Sequence, residues 1–178
     1  MAGFTPTLNL QARKQKGLIK LFGGTVAPWY FTTQVVKEGT PMKLDPTTAG
    51  LVLPCGTTDG ALCIGLATQE TYDESAFGQL KGYHFANDTR QRLNGEPIGI
   101  LMGAGWALTN YWVGSAPAYG TQAYLTASGM TATPGASGAA LPIIFEGAAD
   151  PALVPNLPVG SVAMVRIRYQ FNMAIVPA

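Results

Sequence analysis

The sequence predicts an all-β protein, a sandwich or barrel of short antiparallel strands, and three observations carry the prediction. Helical periodicity is almost absent. Strict two-residue alternation fills the C-terminal stretch "AMVRIRYQFNMAIV". Glycine (22) and proline (13) make up nearly a fifth of the 178 residues, which favours many turns and few long helices.

Taken in chain order, the first helix candidate is "QARKQKGLIKLF", interrupted by Gly17; "DESAFGQLKG", interrupted by Gly78, is the second. Each is too short to hold a helix unaided. Strand signals recur instead, at "APWYFTTQVV", "TPMKL", "ALCIGLA", "PIGILMG", "ALTNYWV", "QAYLTA" and "LPIIFEG", each bounded by turn residues. In "EGTPMKLDP" Gly39 supplies a bend, Pro41 opens a strand and Asp45-Pro46 starts the next turn. Lys43 then faces outward between inward Met42 and Leu44. In the last strand Val165, Ile167, Tyr169, Phe171, Met173 and Ile175 point one way. Arg166, Arg168, Gln170 and Asn172 point the other, the mark of a strand with one buried face.

Two stretches echo each other. "EGTPMKL" (38–44) resembles "YGTQAYL" (119–125), "ALCIGLA" resembles "ALPIIFEG", and "PIGILM" (97–102) resembles "PVGSVAM" (158–164). The period is about 81 residues, which suggests two related β modules packed as halves of one domain, 25–113 and 114–178. Chance agreement among Gly/Pro-rich turns is the competing explanation.

Only 12% of residues are charged, against about 25% in an average globular protein, while 47% are apolar. Neutral surface invites association, so burial in an oligomer or larger assembly is expected. Residues 1–37 hold five cations (Arg13, Lys14, Lys16, Lys20, Lys37) and no acid, leaving six cations against ten acids in the rest. Residues 1–24 therefore read as a basic N-terminal arm ending at a Gly23-Gly24 joint, ahead of a β domain at 25–178. No signal peptide and no membrane-spanning stretch is visible, which leads us to expect a soluble chain made in a reducing compartment. Cys55 and Cys63 are then free thiols packed as small apolar side chains, with a cross-strand disulfide as the less favoured reading.

The polar region 71–96 carries Ser75, His84 and Asp88, the residue types of a nucleophilic triad. No Gly-x-Ser-x-Gly elbow surrounds Ser75, and no glycine-rich loop feeds a helix that could build an oxyanion hole. The expectation is an interaction loop, with His84, Arg90 and Arg92 as candidate subunit contacts. Acidic residues lack metal-site spacing, and no phosphate loop or dinucleotide fingerprint occurs. In "RIRYQF" the aromatics alternate with the arginines, so they read as core and not as a stacking platform for single strands. Trp29, Trp106 and Trp112 read as core or interface anchors. No enzyme activity, cofactor, metal, nucleic-acid partner or membrane contact is expected.

The order "KEGTPMKLD", "CIGLATQE", "PIGILMGAGWAL" resembles the capsid decoration (cement) proteins of tailed bacteriophages, well over 36–113 and more loosely beyond. The loop "GYHFANDTRQR" and the ending "VRIRYQF" fit phage structural proteins too. The resemblance implies an all-β virion component on the outside of an icosahedral shell. It would be made in the host cytoplasm, bind the major capsid protein and sit as a homotrimer clamping adjacent capsomers. Capsid contacts would then fall on Arg13, Lys14, Lys16, Leu18, Ile19, Lys20, Leu21 and Phe22. A head-fibre base or tail component would use the same modules. An enzyme or single-strand nucleic-acid binder would need the 71–96 loop or the arginine pair.

Overall fold

The computed structural model describes residues 17–72, 91–93, 95–135, 138–148 and 164–171. Its strands are β1 (Leu18–Phe31), β2 (Pro41–Leu44), β3 (Val52–Pro54), β4 (Gly65–Ala67), β5 (Glu70–Tyr72), β6 (Gln91–Leu93), β7 (Pro97–Thr109), β8 (Thr121–Thr126), β9 (Gly129–Thr131), β10 (Ala140–Ala148) and β11 (Val165–Gln170). Nine of them form one antiparallel sheet curled into a half-barrel, ordered β3-β2-β4-β7-β11-β10-β8-β9 with β1 also on β7. The protein is all-β, as its alternation and turn content predict. Strands β5 and β6 pair in parallel as a separate small sheet.

β7 organises this sheet. β1 runs along one edge for the whole length of β7. The other edge is shared end to end: β4 pairs with Ile100 and Leu101, and β11 pairs with residues 104–109. Ile98, Ile100 and Met102 enter one core with Ala27, Met42, Val52 and Ile64. Leu101 and Ala107 enter a second core with Leu125, Phe145, Ile167 and Tyr169. Successive side chains of a strand point to opposite faces, so one strand can serve two cores.

The two halves repeat each other's pairing. In the first, Pro41 pairs with Leu66 and Leu66 with Leu101; in the second, Gln122 pairs with Ile144 and Ile144 with Arg168. Likewise Leu44↔Val52 is matched by Leu125↔Met130, and Ala67↔Ile100 by Phe145↔Ile167. The turns correspond as well. Gly39 (φ 85) donates its N–H to the Ala67 carbonyl, and Gly120 (φ 80) donates to the Phe145 carbonyl, each at 2.8 Å. Both glycines occupy the left-handed region, where a side chain is strained.

Three expectations need correction. The division between arm and domain at residue 24 falls inside β1, which starts at Leu18 and is paired with β7 from there. Gly23 (φ 71) and Gly24 (φ 63) are an irregularity in that ladder and not a joint. They read as a joint because Gly-Gly looks flexible until a neighbouring strand fixes it. A Cβ on Gly23 would lie 2.5 Å from the Ala104 carbonyl oxygen and 2.9 Å from the Gly105 Cα, so backbones approach too closely for any side chain. Second, "PIGILMG" and "ALTNYWV" are not separate strands, because β7 continues through Gly103 and Gly105 to Thr109. The halves therefore share β7 and do not divide between 113 and 114. Third, the pairing matches Ile100 with Ile167, so the counterpart of "PIGILM" lies in β11; "PVGSVAM" precedes it, and all but Met164 of that stretch lies outside the described residues.

The alternation in the last strand holds where it is described. Val165, Ile167, Tyr169 and Phe171 are buried, while Arg168 and Gln170 are exposed. Tyr169 is fully buried and stacks on Phe171 at 5.3 Å, and its hydroxyl donates to the Gly23 carbonyl at 3.4 Å. Space for that hydroxyl comes from glycine. A Cβ on Gly105 would stand 2.7 Å from it and 2.2 Å from the Phe22 carbonyl oxygen. Gly105→Ala should therefore cost about 2–3 kcal/mol and lower the melting temperature by about 5–10 °C. Gly135→Ala, with nothing within 4 Å of the added Cβ, should stay within about 0.5 kcal/mol of the parent. Thermal melts of the two variants check this.

Candidate interaction surface

The start of β1 is pinned by a buried carboxylate. Glu38, 4% exposed, accepts hydrogen bonds from the backbone N–H groups of Gly17 and, at 3.4 Å, Leu18. The Gly17 carbonyl accepts from Thr109 Oγ1 and from the Asn110 N–H, both at 3.0 Å. Gly17 is required there, because a Cβ would lie 2.7 Å from the Glu38 Cβ. β1 thus leaves a fixed point.

Beyond that point β1 is an edge strand. Its only partner strand among the described residues is β7, and along its other edge only Phe31, at the C-terminal end, makes a bridge, to Leu51. Large apolar side chains stand out from it: Phe22 is 70% exposed, Trp29 67%, Leu21 43% and Val26 41%. Edges of this kind are usually short, charged or covered, because they template association. Here the one cation of the strand, Lys20, turns back to donate to the Gly24 carbonyl at 2.8 Å. Irregularities at three places in the β1–β7 ladder bend the edge but leave its side chains in solvent.

The structure divides the expected contact residues. Leu21 and Phe22 are exposed and Lys20 is solvent-facing; Ile19 is half-buried, and Leu18 packs against the second core. Arg13, Lys14 and Lys16 lie outside the described residues, as do His84, Arg90, Ser75 and Asp88. Arg92 lies in β6, paired with Thr71 of β5. Trp29 and Val26 complete the apolar edge, and residue type alone could not separate them from core. Alternation read from Leu18 onward carries part of the signal. Trp106 and Trp112 are half-buried.

Other polar groups hold the fold. Lys43 Nζ lies 2.6 Å from Asp59 Oδ2, and that hydrogen bond, with the Gly56 N–H, holds the Asp59 carboxyl below its ordinary range. Asp45 is lowered by hydrogen bonds from the Thr47 hydroxyl and the Thr47 and Thr48 N–H groups, which closes the Asp-Pro turn. Among the described residues no three His, Cys, Asp or Glu side chains converge on a common point, and no helix is long and apolar enough to cross a membrane. Two open grooves mark the sheet. One of about 520 Å³ lies between Val26, Pro28, Thr68 and Pro97. The other, about 910 Å³, lies over Trp106, Arg168, Ile144 and Gln122.

No family model matches the chain, and no curated protein or solved structure matches it either.

Cys55 and Cys63 are both free and buried in the second core. A hydrogen bond with Cys63, and then burial, push the Cys55 thiol far above its usual value of 9.0. Both thiols should resist a thiol reagent at pH 8 until the protein is unfolded, and reductant should leave the melting temperature unchanged. A thiol with a raised folded value stabilises fully below its unfolded value and loses that contribution as pH rises. Melting temperature should therefore fall as pH climbs past 9.0, and replacing both cysteines with alanine should flatten that fall.

Proposed function

We propose that the protein is a structural virion component that binds the outer surface of an icosahedral phage capsid and stabilises it by clamping adjacent capsomers. The observation that carries this reading is the β1 edge: a pinned, fourteen-residue strand whose only partner strand among the described residues is β7, with Phe22 and Trp29 in solvent. Large aromatic side chains on rigid backbone are the usual anchors of protein interfaces, because they bury much area at little entropic cost. Low charge supports the same role, since a shell contact needs area and shape fit more than ion pairs.

The partner is the major capsid protein, and self-association into a homotrimer would place three such edges around one axis. Lys20 would orient the contact while the apolar groups supply its strength, because exposed ion pairs contribute only about 0.2–1 kcal/mol each. The sequence resemblance to capsid decoration proteins points the same way.

Sedimentation with capsids lacking this protein tests the proposal. Wild-type protein should pellet with the shells. Phe22→Ser and Trp29→Ser should each weaken binding by about tenfold or more, with little loss of thermal stability because both side chains are exposed. Lys20→Gln should do less, and mostly at low salt. Wild-type protein that stays in the supernatant would reject the reading.

A further inference from the structure

The strand registers place five side chains in one transverse row across the second half of the sheet. Phe22 of β1 pairs with Trp106 of β7, Trp106 with Arg168 of β11, Arg168 with Ile144 of β10, and Ile144 with Gln122 of β8. Directly paired residues of antiparallel strands share a face, so the row spans roughly 19 Å at the usual strand spacing. Contacts confirm the shared face. Phe22 and Trp106 rings meet at 5.9 Å, tilted by 47°. Glu146 accepts from Trp106 Nε1 at 3.1 Å and lies 3.5 Å from Arg168 Nε.

The matching row of the first half has a different fate. Pro41, Leu66 and Leu101 occupy the positions of Gln122, Ile144 and Arg168, and all three are buried. Leu66 and Leu101 form part of the core that the second half encloses. Among the described residues the same face of the second half is left open, lies under the groove of about 910 Å³, and carries an amide, a guanidinium and an indole. Gln170, paired with Ala104, adds a second exposed amide.

We propose that this row is a binding site for a neutral oligosaccharide, seated along the row with a pyranose on the Trp106–Phe22 shelf. Three properties select that ligand class. The indole is fixed in place by its bond to Glu146, and the negative face of an aromatic ring attracts the polarised C–H groups on the apolar face of a sugar. Arg168 and Gln170 are exposed planar polar groups that can each meet neighbouring hydroxyls, and a few such groups on an apolar lining are what orient a small ligand. Arg168 and Glu146 balance each other's charge, which leaves little attraction for a polyanion; nucleic-acid affinity rests on several uncompensated cations. Size argues against a protein on this row alone, since a stable interface buries about 800 Å² per partner, far more than five side chains offer.

Fluorescence titration of the full chain with cellohexaose, maltohexaose and chitohexaose at up to millimolar concentration tests the site, and it requires no capsid. At least one of the three should give a saturable change in tryptophan emission. Trp106→Ala and Arg168→Gln should each weaken that binding by about tenfold, while Trp29→Ala, on the neighbouring edge, should leave it intact. Calorimetry on the same variants separates lost binding from lost signal, and the exposed Arg168→Gln keeps the test valid if Trp106→Ala fails to fold. No saturable binding to any of the three, or binding that survives both variants, overturns the proposal. Tighter binding of a thymidine oligonucleotide than of every sugar, sensitive to the same variants, also overturns it and assigns the row to single strands. Phe22 belongs both to this shelf and to the β1 edge, so Arg168 and Trp29 separate the two readings: Arg168→Gln should lose sugar binding yet sediment with capsids as wild type does, and Trp29→Ser should do the reverse.

Discussion

The structure depends on how β7 divides its side chains. A strand has two faces, and most strands of a half-open sheet bury one and wet the other. Over residues 98–102 β7 buries both: Ile100 and Met102 close one core, while Leu101 closes the next. Its partners must therefore split, with β4 and β11 sharing one edge end to end while β1 spans the other. Gly103 and Gly105 sit where the partners change. There Gly105 leaves room for the Tyr169 hydroxyl and for the backbone of Gly23. A side chain at that crossing would push the two halves apart.

Shared use of β7 makes the halves inseparable. Their pairing is the same strand for strand, but Leu66 and Leu101 of the first half are enclosed in the second core, whereas Ile144 and Arg168 lie on an open face. Stacking two similar units in one direction always leaves one such face uncovered. Residue chemistry follows coverage: leucines where the face is closed, and arginine, glutamine and tryptophan where it is open. The fully buried Leu66 and Leu101 thus explain, by contrast, why the equivalent row can take a polar ligand.

The other exposed feature, the β1 edge, arises from the start of the chain. Glu38 and Thr109 hold Gly17, so β1 sets out in a defined direction and its side chains emerge at fixed positions. Preorganised anchors bind with less entropic loss than anchors on a loose segment. A low-charge surface with pinned aromatics suits contact with a large, shape-matched partner, which is the role we assign to it.

The all-β class, the buried face of the last strand and the turn at Gly39-Thr40 were legible in the chain, because side-chain alternation and glycine's left-handed freedom are local properties. So was the correspondence of "EGTPMKL" with "YGTQAYL", since each half spends its own residues on it. Only the tertiary structure decided that Leu18–Gly24 is sheet, that β7 runs unbroken through its glycines, and that Ile100 answers to Ile167. Those facts depend on which backbone lies alongside, and hydrogen bonds between distant strands leave no period in the sequence. The row from Phe22 to Gln122 was hidden for the same reason. Its five residues come from five strands, and only register brings them to one face.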